Sequence, residues 1–162
     1  MTEKQTILRH ADIELVMRRL AYQIAENHVD TNDILFIGLN DRGKFIADQI
    51  YTEIGKIFPA KSLKCDQMIV TNELVVPTIN PTPQSTVIII DDVINSGFSA
   101  MKAIQYFFQF GCSGIETVFL AEREHRAFPV LANYVGISIA TTLKDHVYFN
   151  NTNTKELEIY LA

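Results

Sequence analysis

The chain has 162 residues, 48% of them hydrophobic, with a formal charge of −5 and a pI near 5.3. That is enough apolar material for one domain spanning residues 1–162 with a full core, and too little length for two. The acidic balance supplies no electrostatic footprint for nucleic acid, which argues against an RNA partner. Cys65 and Cys112 have no metal-ligand spacing around them, so a reduced cytoplasmic location with two structural thiols is expected. The N-terminal text lacks the apolar core of a signal peptide, and no apolar run approaches the roughly 18 residues of a spanning helix.

In chain order, Ile7 and Leu8 read as a short strand or a staple ahead of a helix over about 11–27, where Ile13, Val16, Met17, Leu20 and Ile24 recur at helical spacing. Asn32 and Asp33 break the chain before a buried strand, Ile34 to Ile37, which runs into Gly38-Leu39-Asn40-Asp41-Arg42-Gly43-Lys44-Phe45 and a helix ending near Ile57. The spacing G-x-x-x-x-G-K tests as a P-loop and fails, because Phe45 stands where a magnesium-holding hydroxyl is required and Asp41 would aim negative charge at a phosphate. Lys61 to Val70 predicts a further strand with imperfect alternation and room for a bulge. Leu74-Val75-Val76 offers it a hairpin partner, followed by a loose stretch with Pro77, Pro81 and Pro83.

The organising segment is Thr86 to Ser99. Val87 to Ile90 is a short β-branched run, which reads as a parallel strand buried on both faces. Asp91 and Asp92 stand at its end, then a polar turn carries Gly97, with Ser99 placed to cap a helix over about 100–110. Backbone N–H groups of Asn95, Ser96, Gly97, Phe98 and Ser99 at a helix start suit a dianionic phosphate, and the hydroxyls of Ser96 and Ser99 add donors. Asp91 and Asp92 would repel that phosphate, and suit sugar hydroxyls or a divalent metal a few ångströms away. A phosphorylated ribose satisfies both ends.

Beyond it, Ile115 to Ala121 predicts a strand, and Glu122-Arg123-Glu124-His125-Arg126-Ala127-Phe128-Pro129 a connection in which His125 reads as a surface or packing residue. Phe128 and Tyr134 read as core or hood aromatics. Val147 to Phe149 and Leu157 to Leu161 predict closing strands about a turn at 150–153. Strands alternating with helices, each leading into a chemical loop, describe an α/β fold: an open parallel sheet flanked by helices, with its ligand at the carboxyl edge.

The segment Ile88 to Ser99 resembles the signature of type I phosphoribosyltransferases that binds 5-phosphoribosyl-1-pyrophosphate (PRPP): a hydrophobic strand, two acids, an apolar residue, two variable positions, then Ser/Thr-Gly-x-Ser/Thr. Arg123, His125, Arg126, Pro129, Tyr134, Gly136, Thr141 and Lys144 further resemble the branch of bifunctional pyrimidine-operon attenuators and uracil phosphoribosyltransferases. The resemblance implies a small hood beside the sheet, a homo-oligomer, and transfer of phosphoribose to a nucleobase, uracil above others, with Mg2+ and release of pyrophosphate. It assigns the 5-phosphate to residues 95–99, the ribose hydroxyls and, indirectly, the ligand-bound Mg2+ to Asp91 and Asp92, and the pyrophosphate to Asn40, Asp41, Arg42 and Gly43. The chain departs from the pattern twice. Phe98 stands where the attenuator branch has Arg, and no Lys or Arg occurs between Lys64 and Lys102, where the family carries a mobile loop. Both departures favour a second reading, a nucleotide or PRPP sensor that binds without turnover.

Overall fold

A computed structural model of the chain describes residues 4–124, 126–140 and 146–162; His125, Thr141 and Lys144 lie outside the described residues. The order of elements is β1 (Gln5–Arg9), α1 (His10–Asn27), β2 (Asp33–Leu39), α2 (Asn40–Ile57), β3 (Ser62–Val70), β4 (Leu74–Val75), β5 (Thr86–Ile94), α3 (Phe98–Phe108), β6 (Gly114–Arg123), β7 (Tyr134–Ile139), β8 (Val147–Asn150) and β9 (Glu158–Leu161). Strands β3-β2-β5-β6-β7 run parallel, with β4 antiparallel at the β3 edge.

The central strands are buried on both faces, which is why they read as continuous β-branched runs. Residues 34, 36, 88, 90, 118 and 120 pack toward α1 and α2 with Ile13, Leu20, Ile46 and Ile50. The alternate residues 35, 37, 87 and 89 pack toward α3 with Ala103 and Phe107. Period-2 alternation thus distributes one apolar run between two cores. No bulge interrupts β3, which pairs with β2 in unbroken register from Asp33↔Ser62 to Leu39↔Met68. The register shift falls instead in the β1–β9 pair, between Thr6 and Leu8.

The hood is a separate antiparallel sheet of order β1-β9-β8. Ile7 and Leu8 therefore take the strand option. The inner face of this sheet carries Val147, Phe149 and Ile159 into the main core, and the Phe149 ring lies 6.4 Å from that of Phe45 at the start of α2. Its outer face stacks Tyr148 on Tyr160 at 5.3 Å. The hood is in this way seated over the helix that follows β2.

At the opposite edge of the sheet, a polar cluster ties α1 to β6 and β7. His28 Nε2 lies 2.9 Å from Glu116 Oε2, which also accepts from the Tyr134 hydroxyl at 2.9 Å; Asn27 donates to that hydroxyl at 3.1 Å. Tyr134 is thereby a core residue held by its polar end. The Lys61 ammonium caps the chain leaving α1, donating to the carbonyls of His28 (2.7 Å), Thr31 (2.6 Å) and Val29, where α1 has no basic residue in its own last turn.

Hydrogen bonding from His28, then from Tyr134, holds the Glu116 carboxyl below its ordinary value of 4.5. A depressed carboxyl contributes stability that is present above its unfolded pKa and is lost as pH falls through the folded one. The Glu116→Gln variant is therefore expected to melt below the parent at pH 7, with the two melting curves converging as the pH is lowered past about 4; circular dichroism melts across that range measure it.

Candidate functional site

Two loops meet at the carboxyl edge of the sheet because β2 and β5 are neighbours in register, from Ile34↔Thr86 to Gly38↔Ile90. Strand β2 then passes into α2 without an intervening loop. Asn40 takes φ +52°, a left-handed turn that Asn tolerates better than most residues, and its Oδ1 accepts from the Val70 N–H at 2.9 Å, tying the turn to the end of β3. Gly38 and Gly43 are dictated by proximity. A Cβ on Gly38 would lie 2.3 Å from Lys44 Cα, and one on Gly43 would lie 2.5 Å from the Ile90 carbonyl oxygen and 3.2 Å from Asp91 Cα.

Strand β5 outruns its expected end. It continues past Ile90 through both aspartates to Ile94, because β6 goes on pairing with it, Val93 opposite Ala121 and Ile94 opposite Glu122, after β2 has turned away. Asp91 and Asp92 consequently sit in an extended segment flanked by a strand on one side and by the first turn of α2 on the other. Asp91 Oδ1 accepts from the Asp92 N–H at 2.9 Å, while Asp92 Oδ2 lies 3.6 Å from Arg42 Nη1. Arg42 is half exposed and Asp92 is mostly covered, so this ion pair bridges the two loops at the mouth of the site. Desolvation first, then the charge of Asp92, push the Asp91 carboxyl well above the usual carboxylate range, with Arg42 partly offsetting them.

After Ile94 the chain turns through Asn95 and Ser96 into α3. The cap is Gly97, at φ +83°, and Ser99 lies in the first helical turn, so the helix spans 98–108 where 100–110 was expected. The connection between strand and helix is thus only three residues long, and a residue free of a Cβ takes the φ of Gly97 without strain. The first helical bond runs from Met101 N–H to the Gly97 carbonyl at 2.9 Å, which leaves the Ser99 and Ala100 amides without intrahelical acceptors; the Phe98 N–H donates to Ser96 Oγ at 3.2 Å. A cavity of about 200 Å3 opens at this turn, lined by Asp91 and the segment from Val93 to Ala100. The helix dipole and the free amides make it suited to an anion.

A second cavity of about 620 Å3 lies beside the first, between the β3–β4 hairpin and α3, lined by Val70, Thr71, Asn72, Leu74, Phe98 and Lys102. The hairpin brings no cation, as its sequence states, but Lys102 does. It stands one turn after Phe98 on the same helix face, its ammonium 5.7 Å from the centre of the Phe98 ring. Helical spacing from the glycine turn would have found it; a search confined to the loop does not. Phe128 is neither core nor hood. It is partly exposed, with its ring 5.9 Å from that of Phe98. Asp41 accepts from Gln67 Nε2 at 3.0 Å, and Lys44 is paired with Asp48 along α2, so the lysine of the rejected P-loop reading is engaged outside the loop.

The family model for the phosphoribosyl transferase domain matches residues 3–152 of the chain. The bifunctional protein PyrR of Bacillus cereus (strain B4264) is 26% identical over 163 residues, covering 91% of this chain and 90% of that protein. Among solved structures, the hypoxanthine phosphoribosyltransferase of Trypanosoma cruzi superposes with a TM-score of 0.80 at 14% identity over 97% of this chain and 95% of its own. A hypoxanthine-guanine phosphoribosyltransferase of Bacillus anthracis gives 0.73 at 21% identity over 83% and 81%. At such identities these two likenesses establish the fold.

A carboxyl whose folded pKa is raised loses stability as the pH rises from its unfolded value through the folded one. Asp91→Asn keeps the Oδ1 acceptor for Asp92 and removes the charge. The variant is expected to melt above the parent at pH 8, the gain disappearing toward pH 4, while its affinity for ribose 5-phosphate falls; calorimetry at the two pH values reads both effects.

Proposed function

The chain belongs to the phosphoribosyl transferase family, and on that premise we propose that it transfers the phosphoribosyl group of PRPP to uracil, forming UMP and releasing pyrophosphate. Phosphoribosyl transfer is the reaction class its family supports; the base is the part proposed. The observation that carries the reading is the cavity at Gly97, which sets free helix-start amides beside the Asp91 carboxyl, with Asp92 next in the strand, matching a ligand with a phosphate at one end and a diol in its middle. For uracil the support is the resemblance of Arg123, Arg126, Pro129, Tyr134 and Gly136 to the attenuator branch. The hypoxanthine enzymes among the structural neighbours make hypoxanthine the competing base.

The division of labour follows from charge. The turn 95–99, with the free Ser99 and Ala100 amides and the Ser96 and Ser99 hydroxyls, holds the 5-phosphate, and Asp91 and Asp92 accept from the ribose hydroxyls. Asn40 to Gly43 receive the pyrophosphate at the start of α2, with Arg42 swinging between Asp92 and the leaving group. Among the described residues no three His, Cys, Asp or Glu side chains assemble as a metal site. Two adjacent carboxylates fit a hydrated Mg2+ already coordinated by PRPP oxygens rather than a protein cage. When bound, such an ion neutralises pyrophosphate charge. The chain's own contribution is alignment and electrostatic stabilisation of a separating ion pair, with little covalent chemistry.

The exposed Phe98 and the cation-free hairpin favour the sensor as the second reading. Phe98 sets apolar surface beside the 5-phosphate turn, and the hairpin brings no cation toward the leaving group, so that among the described residues Lys102 is the cation lining that cavity. A homo-oligomer in the cytoplasm completes the proposal; free Cys65 and Cys112 suit a reducing compartment, and among the described residues no helix is long and apolar enough to cross a membrane.

Incubation with PRPP, Mg2+ and uracil, hypoxanthine, guanine or orotate, followed by chromatography of the nucleotides, is expected to show UMP. Tight binding with no nucleotide formed from any base assigns the protein to the sensor class, and faster turnover of hypoxanthine overturns the choice of base. Gly97→Ala, which forces a Cβ to φ +83° and to 3.3 Å from the Phe128 carbonyl oxygen, is expected to raise KM for PRPP about tenfold or more.

A further inference from the structure

The phosphate turn has an outer wall that none of its assigned parts supplies. Residues 126–130, between β6 and β7, run along its far side, and the Ala127 and Phe128 N–H groups both donate to the Ser96 carbonyl, at 3.1 and 3.0 Å. The same strap closes on Gly97, whose missing Cβ would lie 3.3 Å from both the Phe128 carbonyl oxygen and Val130 Cγ2. It also meets Phe98 ring to ring. Ser96, Gly97 and Phe98 are therefore each held from outside by one short piece of irregular chain.

That piece is itself held by one side chain. Arg126 Nη1 donates to the Val130 carbonyl at 2.6 Å, closing the strap into a loop upon itself, and Nη2 forms an ion pair with Glu122 at the end of β6. Glu122 Oε1 in turn accepts from Ser138 Oγ of β7 at 2.6 Å, so the guanidinium is referenced to two strands of the sheet. The arrangement is not the one that packing alone selects. Arg126 Nε is buried with no hydrogen-bond partner among the described residues, a desolvation penalty that an unbranched apolar side chain of similar length would not incur.

We propose that Arg126 is a positioning residue for the phosphate turn: by fixing strap 126–130 to Glu122 and to the Val130 carbonyl it holds Ser96 and Gly97 where their neighbouring amides converge on a phosphate. This rests on the phosphoribosyl-binding reading above. Arg126 touches no ligand in this scheme; it acts through the Ser96 carbonyl and the Phe128 and Val130 contacts. Removing it frees a turn that must be preorganised, and the lost order is charged against phosphate affinity.

The test compares the full chain with Arg126→Met, Arg126→Lys and Glu122→Gln by titration calorimetry, using ribose 5-phosphate for the turn and pyrophosphate with Mg2+ for the loop at 40–43. Arg126→Met is expected to weaken ribose 5-phosphate about tenfold while pyrophosphate affinity and the melting temperature stay close to the parent's. Arg126→Lys and Glu122→Gln, which keep one end of the tie, fall between. Unchanged ribose 5-phosphate affinity in Arg126→Met and Glu122→Gln overturns the proposal, as does an equal loss for both ligands accompanied by a lower melting temperature. If Arg126→Met does not fold, Glu122→Gln decides by the same criteria. A parent that binds ribose 5-phosphate with a variant that binds it equally well rejects the positioning role alone; a parent that binds none rejects the phosphoribosyl reading itself and this inference with it.

Discussion

The approach of α2 to β5 at Gly43 is the contact on which the site depends. With the Ile90 carbonyl oxygen 2.5 Å from where a Cβ would stand, no other residue lets the first turn of α2 lie this close to the strand. That closeness makes the aspartates of β5 and the turn at Asn40 walls of one cleft. Parallel pairing alone would set β2 and β5 about 4.8 Å apart and leave the following loops free to diverge. The unequal lengths of the two strands complete the geometry. β2 stops and turns while β5 runs on beside β6, so acidic side chains emerge at the edge with a helix start immediately beyond them.

The electrostatic character of the cleft is uneven. The Gly97 turn offers dipoles and hydroxyls, the aspartates add negative charge, and at the rim Arg42 faces Asp92 while Lys102 lies over Phe98. A carboxyl kept out of water next to another carboxyl is a poor choice for folding, and its presence is understandable if a polyol or a ligand-bound cation repays the desolvation. The Phe98–Phe128 pair provides an apolar cover beside the turn.

Much of this was legible in the residues. The central strands declare themselves as runs of Ile, Val and Leu, because burial on both faces removes the alternation an exposed strand would show. Glycines flanking charged residues mark close approach, and the acid pair ahead of Ser96-Gly97 marks the turn. What escaped depends on partners remote in sequence. The extra length of β5 is set by β6, which no local pattern around Asp91 expresses, and the cap falls on Gly97 because the turn takes a positive φ there. Tyr134 and Phe128 look alike as isolated aromatics, yet one closes a hydrogen-bonded cluster with Glu116 and the other packs on Phe98. Lys102 is remote in sequence from the hairpin it faces, and the helix delivers it across the cavity.

The hood joins the two extremes of the chain: Gln5 pairs with Leu161, and the Lys4 ammonium meets Glu158 at 2.6 Å. Strand β1 therefore depends on a partner strand remote in sequence, Thr6 meeting Glu158 across 152 residues and Lys4 across 154, and closing so long a loop costs entropy that only the completed fold recovers. The parallel sheet from β2 to β7 joins strands that are closer in sequence, whereas the Phe149 contact that seats the hood on α2 spans most of the domain. The hood is in consequence the part of the fold that opens as a unit: loss of the β1–β9 pairing uncovers the cleft and leaves the parallel sheet standing.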